Sequence, residues 1–440
     1  MRTLAVKRAL VPALVGILLS ANALPASAGL SAAESRAVES VDRHSARATA
    51  LLRRLVEQNS GTMNFAGVRA VADLLRPEWE ALGFRVRWVD GAAWGRAGHL
   101  VAERAGRANA PHVVLVGHLD TVFEPASGFR GWEQLTDSTA RGPGIIDMKG
   151  GDVIQLLAVR ALADARLLDR LSITVVLTGD EERSGSPHSL ARADLMQAAR
   201  GAAAVIGFED GDGDVRRAVI ARRGSSGWSL AVRATPAHSS QIFRDDIGHG
   251  AIFEAARILQ QVRDSLAGEP YLTFNPGFVV GGSDVALDAA GGGGSAHGKS
   301  NVIADTAYVA GDLRTLTREQ LAHARAVMER IASRHGAHAH ARFEFDEGYP
   351  MLAPTDGNRR LLAMASEASL DLGFGPIEAV DPMRAGAADV SFVGEIAPMV
   401  LDAMGLKGDG GHTSQEWADL RSLHVQAKRT AVLLARLARR

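Results

Sequence analysis

His112-Val-Val-Leu-Val-Gly-His-Leu-Asp-Thr-Val122 decides the fold. Four consecutive apolar side chains with no polar alternation read as a strand buried on both faces, and the run leads straight into a histidine and an aspartate. The same texture returns in Ile173-Thr-Val-Val-Leu-Thr178 and Ala203-Ala-Val-Ile-Gly-Phe208. A helix over about 31–60 precedes these strands, and a largely apolar helix over about 148–168 separates the first from the second. Such strands alternating with helices predict an α/β fold, a mostly parallel sheet covered by helices. Ligands of such sheets collect beyond the carboxyl ends of the strands, so the residues after each strand are where chemistry is sought.

Working outward, the pattern changes near Gly224. Trp228-Ser-Leu-Ala-Val-Arg233 and Tyr308-Val-Ala-Gly-Asp-Leu-Arg314 alternate, and amphipathic helices are expected at about 247–266 and 317–335. Alternation with two interspersed helices predicts an α+β unit with one exposed sheet face. The glycine-rich 281–298 reads as a flexible loop. After about Asp356 the buried texture resumes with a helix, Gly386-Ala-Ala-Asp389, the strand Met399-Val-Leu401, and a closing helix from about Ser414 to Arg440. The expected organisation is therefore a discontinuous catalytic domain, 29–222 and 346–440, interrupted by an inserted α+β domain, 223–345.

Residues 1–28 stand apart. Arg2, Lys7 and Arg8 precede the apolar run Leu10 to Leu19, and Ala26-Ser27-Ala28 supplies a cleavage point, the pattern of a secretory signal peptide. Ten apolar residues are too few for a spanning helix, which needs roughly 20. The expected mature protein is periplasmic or secreted, with no stable membrane anchor. The chain has 440 residues, 49 Lys+Arg and 50 Asp+Glu, a net charge of −1 that gives no field for nucleic acid. There is no cysteine, which excludes disulfides, thiolate nucleophiles and thiolate metal sites.

Acidic residues and histidines cluster just after the predicted strands, His118 and Asp120, Glu181 and Glu182, and Glu209; Asp147 lies at the start of the long helix, and late in the chain His412 stands in Gly408-Asp-Gly-Gly-His-Thr413. Brought to one sheet edge, so many carboxylates would repel one another unless cations neutralised them. Imidazole and carboxylate are the donors zinc takes when thiolate is absent. His118, Glu182, Glu209 and His412 as terminal ligands, with Asp147 bridging, make two three-ligand sites. Metals about 3.5–4 Å apart can together bind a water, lower its pKa and polarise a carbonyl. Asp120 could accept the other N–H of His118, and Glu181 is the candidate general base. Either Glu209 or Asp210 could reach a metal.

The motifs Gly117-His-Leu-Asp-Thr-Val122, Gly142-Pro-Gly-Ile-Ile-Asp-Met-Lys-Gly-Gly151, Thr178-Gly-Asp-Glu-Glu-Arg-Ser-Gly-Ser186, Gly207-Phe-Glu-Asp210 and Gly411-His-Thr-Ser-Gln-Glu416 occur in order from about Leu51 to the C-terminus. Together they resemble the co-catalytic zinc exopeptidase and amidohydrolase family, which includes glutamate carboxypeptidase, acetylornithine deacetylase, succinyl-diaminopimelate desuccinylase and the aminoacylases. The resemblance implies that His118, Asp147 and Glu209 hold one zinc and Asp147, Glu182 and His412 the other, with Glu181 as general acid/base. Co2+ or Mn2+ are alternative metals. It favours Glu209 over Asp210. It further implies that the insert acts as a lid and dimerisation surface, and that His238 in Ala237-His-Ser-Ser240 stabilises the oxyanion. Asn301 and Arg314 resemble positions that contact a substrate carboxylate, and Gly386 lets backbone approach the substrate. From the residues alone, Arg314 could equally be a strand-surface arginine paired with Asp312.

The expected function is amide or peptide hydrolysis beside a free carboxylate, as in a glutamate carboxypeptidase, on a small peptide or N-acyl amino acid. An N-acyl amino acid deacylase or dipeptidase of the same family is the alternative, and a catalytically silent binding protein the alternative of another class. Gly293-Gly-Ser-Ala-His-Gly-Lys-Ser300 matches the phosphate-loop pattern, but a glycine tract precedes it where a buried strand is needed. His335, His338 and His340 match no ligand position and read as a solvated turn.

Overall fold

The computed structural model describes residues 29–288 and 292–439, so the predicted signal peptide lies outside the described residues. At the centre is a six-stranded sheet in the order Arg85–Asp90, Gly98–Arg104, Ser172–Thr178, His112–His118, Ala204–Gly207, Val400–Leu401. The last four strands run parallel, and the first two join antiparallel. The sheet is thus mixed, and its four parallel strands carry the chemistry.

Side-chain placement explains the missing polar alternation. Val113 and Leu115 enter one core with Leu52, Leu55, Ile154, Leu157 and Leu433, while Val114 and Val116 enter a second with Leu195, Val390 and Val393. A strand covered on both faces has no polar side to display. The first core is built by helices Ala32–Glu57, Gly150–Asp164 and Arg421–Leu437. The first of these opens on a capping box: Ser31 Oγ accepts from Glu34 N–H, and Glu34 Oε2 accepts from Ser31 N–H at 2.7 Å. Glu34 also pairs with Arg436 at 3.1 Å, fastening the first helix to the last. Among the described residues no helix is long and apolar enough to cross a membrane.

A second, four-stranded antiparallel sheet is ordered Thr273–Gly282, Thr306–Thr315, Gly224–Ala234, Ala339–Phe345. Helices Gly250–Leu266 and Arg318–Ser333 cover one face around a separate core of Trp228, Leu230, Val232, Ile258, Val309 and Met328. The chain enters and leaves this unit along two paired connectors. Arg222 and Leu352 exchange two backbone hydrogen bonds of 2.9 Å, and Ser225 N–H donates to the Tyr349 carbonyl at 3.0 Å. Gly348 passes so close that a Cβ there would lie 1.8 Å from the Ser225 carbonyl oxygen, which only glycine allows.

Two expectations are corrected. The segment predicted as a flexible loop contains a hairpin, Asp284–Leu287 paired with Gly294–His297, because its small residues still offer backbone for pairing. The closing helix starts at Arg421, not near 414: Trp417–Asp419 is instead a strand paired with Thr139–Arg141.

Candidate metal centre

His118 ends a buried parallel strand, and its Nε2 lies 3.0 Å from Asp147 Oδ1 and 3.5 Å from Glu209 Oε1. His412 Nε2 lies 2.9 Å from Asp147 Oδ2 and 3.3 Å from Glu182 Oε2. Each oxygen of Asp147 therefore serves a different set. His118, Asp147 and Glu209 form one group, and Asp147, Glu182 and His412 the other, with the ligand atoms of each group within 4.8 Å of one another. Glu209, not Asp210, joins the first group.

Buried polar residues fix each of these side chains. Asp147 is not at the start of a regular helix as expected. Residues 145–149 form an irregular turn in which Asp147 and Met148 leave helical geometry, ahead of Gly150–Asp164. Glu416 holds that turn: its carboxylate accepts from Gly144 N–H and Ile146 N–H at 2.9 Å each and from Asp147 N–H at 3.3 Å. Lys149 is fully buried and donates to the carbonyls of Gln58 (2.9 Å) and Pro143 (3.4 Å).

Asp120 does more than the predicted pairing with His118. His118 Nδ1 faces the Asp120 carbonyl at 3.1 Å and Oδ1 at 3.4 Å. The same carboxylate also accepts from Thr62 Oγ1 (2.7 Å), Glu181 N–H (3.0 Å) and Glu182 N–H (3.1 Å), so it orients a ligand histidine and the loop carrying both glutamates. Glu209 N–H donates to Asp402 Oδ1 at 3.3 Å, and Asp402 is in turn paired with Arg222 at 2.9 Å. His412 stands in a turn between Gly408–Asp409 and Trp417–Asp419 at φ 62°, a region uncommon for a residue with a side chain. Glu416, Lys149, Asp402 and Arg222 were missed by sequence reasoning. Glu416 and Lys149 each lie in one of the metal-site motifs, Gly411–Glu416 and Gly142–Gly151, which is the signal they offer; Asp402 and Arg222 have distant partners and leave none.

The charges at the site are strongly perturbed. Burial, then Asp147, pushes the Glu182 carboxyl up to about 7. Burial, then Glu209, pushes Glu181 well above the carboxylate range, and burial also raises Glu209. Against its own burial, Asp147 is held low by hydrogen bonds to His118 and His412. Hydrogen bonds to Asp147 and Glu182 push His412 up to about 11. Glu182 Oε1 is buried without a hydrogen-bond partner. An orphaned carboxylate oxygen among crowded acids and imidazoles is a donor set suited to cations, and imidazole with carboxylate suits zinc.

The remaining predicted residues lie elsewhere. His238 is exposed in the insert, its Nδ1 2.8 Å from Ser240 Oγ. Asn301 is exposed, its carbonyl accepting from Ser239 N–H at 2.9 Å. Arg314 Nε donates to Asp312 Oδ2 at 2.9 Å, the surface pairing that competed with a substrate role. Gly386 is exposed, with nothing within 4 Å of where a Cβ would stand, and its carbonyl accepts from Arg222 at 2.7 Å. None of the four belongs to either ligand group. His335, His338 and His340 form no ligand group among the described residues.

A mostly parallel sheet whose carboxyl edge gathers two ligand sets around one aspartate is the architecture of a metallopeptidase or amidohydrolase. The chain belongs to Peptidase family M20/M25/M40, whose description matches residues 114–436. It is 24% identical over 379 residues to carboxypeptidase G2 of Pseudomonas sp., covering 84% of this chain and 85% of that protein. In structure it is similar to aminopeptidase PepT of Bacillus cereus, with TM-score 0.71 and 20% identity over 90% of this chain and 99% of that one. It is also similar to the YXEP protein of Bacillus subtilis, described as a dinuclear metal binding peptidase of the M20 family, with TM-score 0.63 and 19% identity over 90% and 99% of the two chains.

Proposed function

We propose that this protein is an exported, di-zinc, carboxypeptidase-like exopeptidase that hydrolyses an amide bond beside a free carboxylate. The observation that carries the reading is the shared Asp147, one oxygen toward His118 and Glu209 and the other toward Glu182 and His412. A pair of zinc ions, when bound, would supply the Lewis acidity that polarises the scissile carbonyl and acidifies the attacking water. Glu181 takes the proton of that water on a carboxylate oxygen and delivers it to the leaving nitrogen. Its carboxyl, raised by burial, suits a group that must hold a proton for part of the cycle. Asp120, through the Glu181 and Glu182 N–H groups, keeps base and ligand in fixed relation.

Arg314 and Asn301 bind the substrate carboxylate, which takes the place of Asp312 against the guanidinium. His238 donates to the oxyanion through Nε2, which carries the ring proton because Nδ1 accepts from Ser240 N–H at 3.2 Å. The exposed Phe243, Ile252, Phe253 and Val279 of the insert support a homodimer through that face. The test is a hydrolysis panel of C-terminal-Glu peptides, benzoylglutamates, N-acetyl amino acids and free dipeptides, run with zinc, with chelator and with zinc restored. Zinc-dependent cleavage with preference for the glutamate conjugates is expected. Preference for N-acetyl amino acids or free dipeptides moves the assignment within the family, and no hydrolysis of any class with zinc bound ends the enzymatic reading.

A further inference from the structure

We infer that Tyr349, on the connector leaving the insert, is a positioning residue that fixes the Glu181 loop through the Glu181 carbonyl. This rests on the assignment of Glu181 as the base. The loop 179–185 follows the strand Ser172–Thr178 and carries Glu181 and Glu182. Asp120 holds it from one side through two N–H groups. From the other side the Tyr349 hydroxyl donates to the Glu181 carbonyl at 3.0 Å.

The hydroxyl is itself oriented. Arg192 Nη2 donates to it at 2.8 Å, and the fully buried Arg192 is clamped by Asp180 Oδ1 and Asp389 Oδ1, each at 2.6 Å. Asp389 also accepts from Thr178 Oγ1 at 2.6 Å, and Asp180 from Gly185 N–H at 2.8 Å, so both ends of the loop are tied to the same network. Arg192 donates to the hydroxyl and the Ser184 side chain also bonds it, while the hydroxyl's own proton is directed to the Glu181 carbonyl at 3.0 Å, with Asp389 Oδ1 farther, at 3.4 Å.

Tyr349 sits where the chain leaves the insert. Its carbonyl accepts from Ser225 N–H, and Gly348 beside it is pressed against the Ser225 carbonyl, so its backbone is part of the paired connectors that join the insert to the sheet. A shift of the connectors is therefore passed through one phenol to the peptide that bears the base. Displacements near 1 Å at a catalytic group can cost about a hundredfold in rate.

The experiment is Tyr349→Phe beside Glu181→Gln, both zinc-loaded. The phenyl ring keeps its contacts with His188 and Phe392, whose centroids lie 5.5 and 5.0 Å away, so the variant removes one oxygen. We expect kcat on the best substrate of the panel to fall about tenfold, with KM within about twofold, zinc content and melting temperature unchanged, and faster amide exchange confined to 179–186. Unchanged kcat or unchanged exchange in that segment overturns the inference. So does a loss of rate that follows loss of zinc or of melting temperature, which marks a merely structural tyrosine. Should no substrate of the panel be cleaved, exchange in 179–186 decides alone. An active Glu181→Gln overturns the base assignment instead, a result distinct from any outcome of Tyr349→Phe alone.

Discussion

Glu254 in the insert and Glu182 at the sheet edge are both buried carboxylates, and their surroundings are opposite. Glu254 accepts from His249 Nε2 at 2.7 Å, Arg257 Nη2 at 2.5 Å and Gly336 N–H at 3.2 Å, and despite its burial these bonds hold its carboxyl down at about 2. Glu182 has an orphaned oxygen, acidic neighbours and a carboxyl pushed up to about 7. Arg192 between Asp180 and Asp389 repeats the first arrangement. Where burial of charge only serves the fold, the chain provides its own counter-charge. At the sheet edge it does not, and that deficit marks the site whose balance comes from outside the polypeptide.

Glu181→Gln should break the catalytic side of this contrast with the largest effect. Removing a positioned acid/base should lower kcat by about 10² to 10⁴, while zinc content by elemental analysis stays at the wild-type value. A variant that keeps its rate removes Glu181 from the mechanism. Glu416→Gln comes next. One amide oxygen cannot replace a carboxylate facing three N–H donors, so the Asp147 turn loosens, and zinc affinity by competition with a chelator should fall about 10- to 100-fold. Unaltered affinity would show that the turn holds Asp147 without Glu416.

These two residues also show where the sequence was legible. Glu181 follows the largely apolar strand Ile173–Thr178, and each ligand likewise sits in a short motif after such a run or at a glycine-rich turn, so local pattern suffices to find them. The role of Glu416 depends on backbone groups about 270 positions away, and nothing local announces such a partner. The same reason misplaced the start of the last helix: Trp417–Asp419, expected to be helical, pairs with Thr139–Arg141 far back in the chain. The hairpin at 284–297 was hidden because glycine and alanine carry too little apolar pattern to betray alternation. No motif surrounds Arg192, and only the fold brings Asp180, Asp389 and Tyr349 around it.

Metal removal sharpens the contrast through pH. In chelated protein Glu182 titrates at about 7 against an ordinary 4.5, and His412 at about 11 against 6.5. Both folded values are raised, so each group's contribution is full below its unfolded pKa and is lost as pH rises through the folded one. The metal-free protein should therefore melt a few degrees lower at pH 8 than at pH 5.5. Zinc favours the deprotonated ligands and should lift the melting temperature more at pH 8, reversing the trend. A metal-free protein that gains stability toward pH 8 contradicts the charge deficit at the edge.

Glu254→Gln tests the self-balanced side and should be the mildest change for the enzyme. The amide keeps one acceptor and leaves Arg257, which is partly solvated, without its ion partner, so stability should fall by about 1–3 kcal/mol with zinc content and kcat unchanged. The folded carboxyl of Glu254 lies below its ordinary value, so its contribution is present above about 4.5 and is lost as pH falls toward 2. The variant should therefore differ from wild type in thermal melts at pH 6 and converge with it near pH 2–3. If the gap persists at acid pH, packing rather than charge accounts for the loss. If zinc content drops, the two buried carboxylate sites are energetically linked and the separation drawn between them fails.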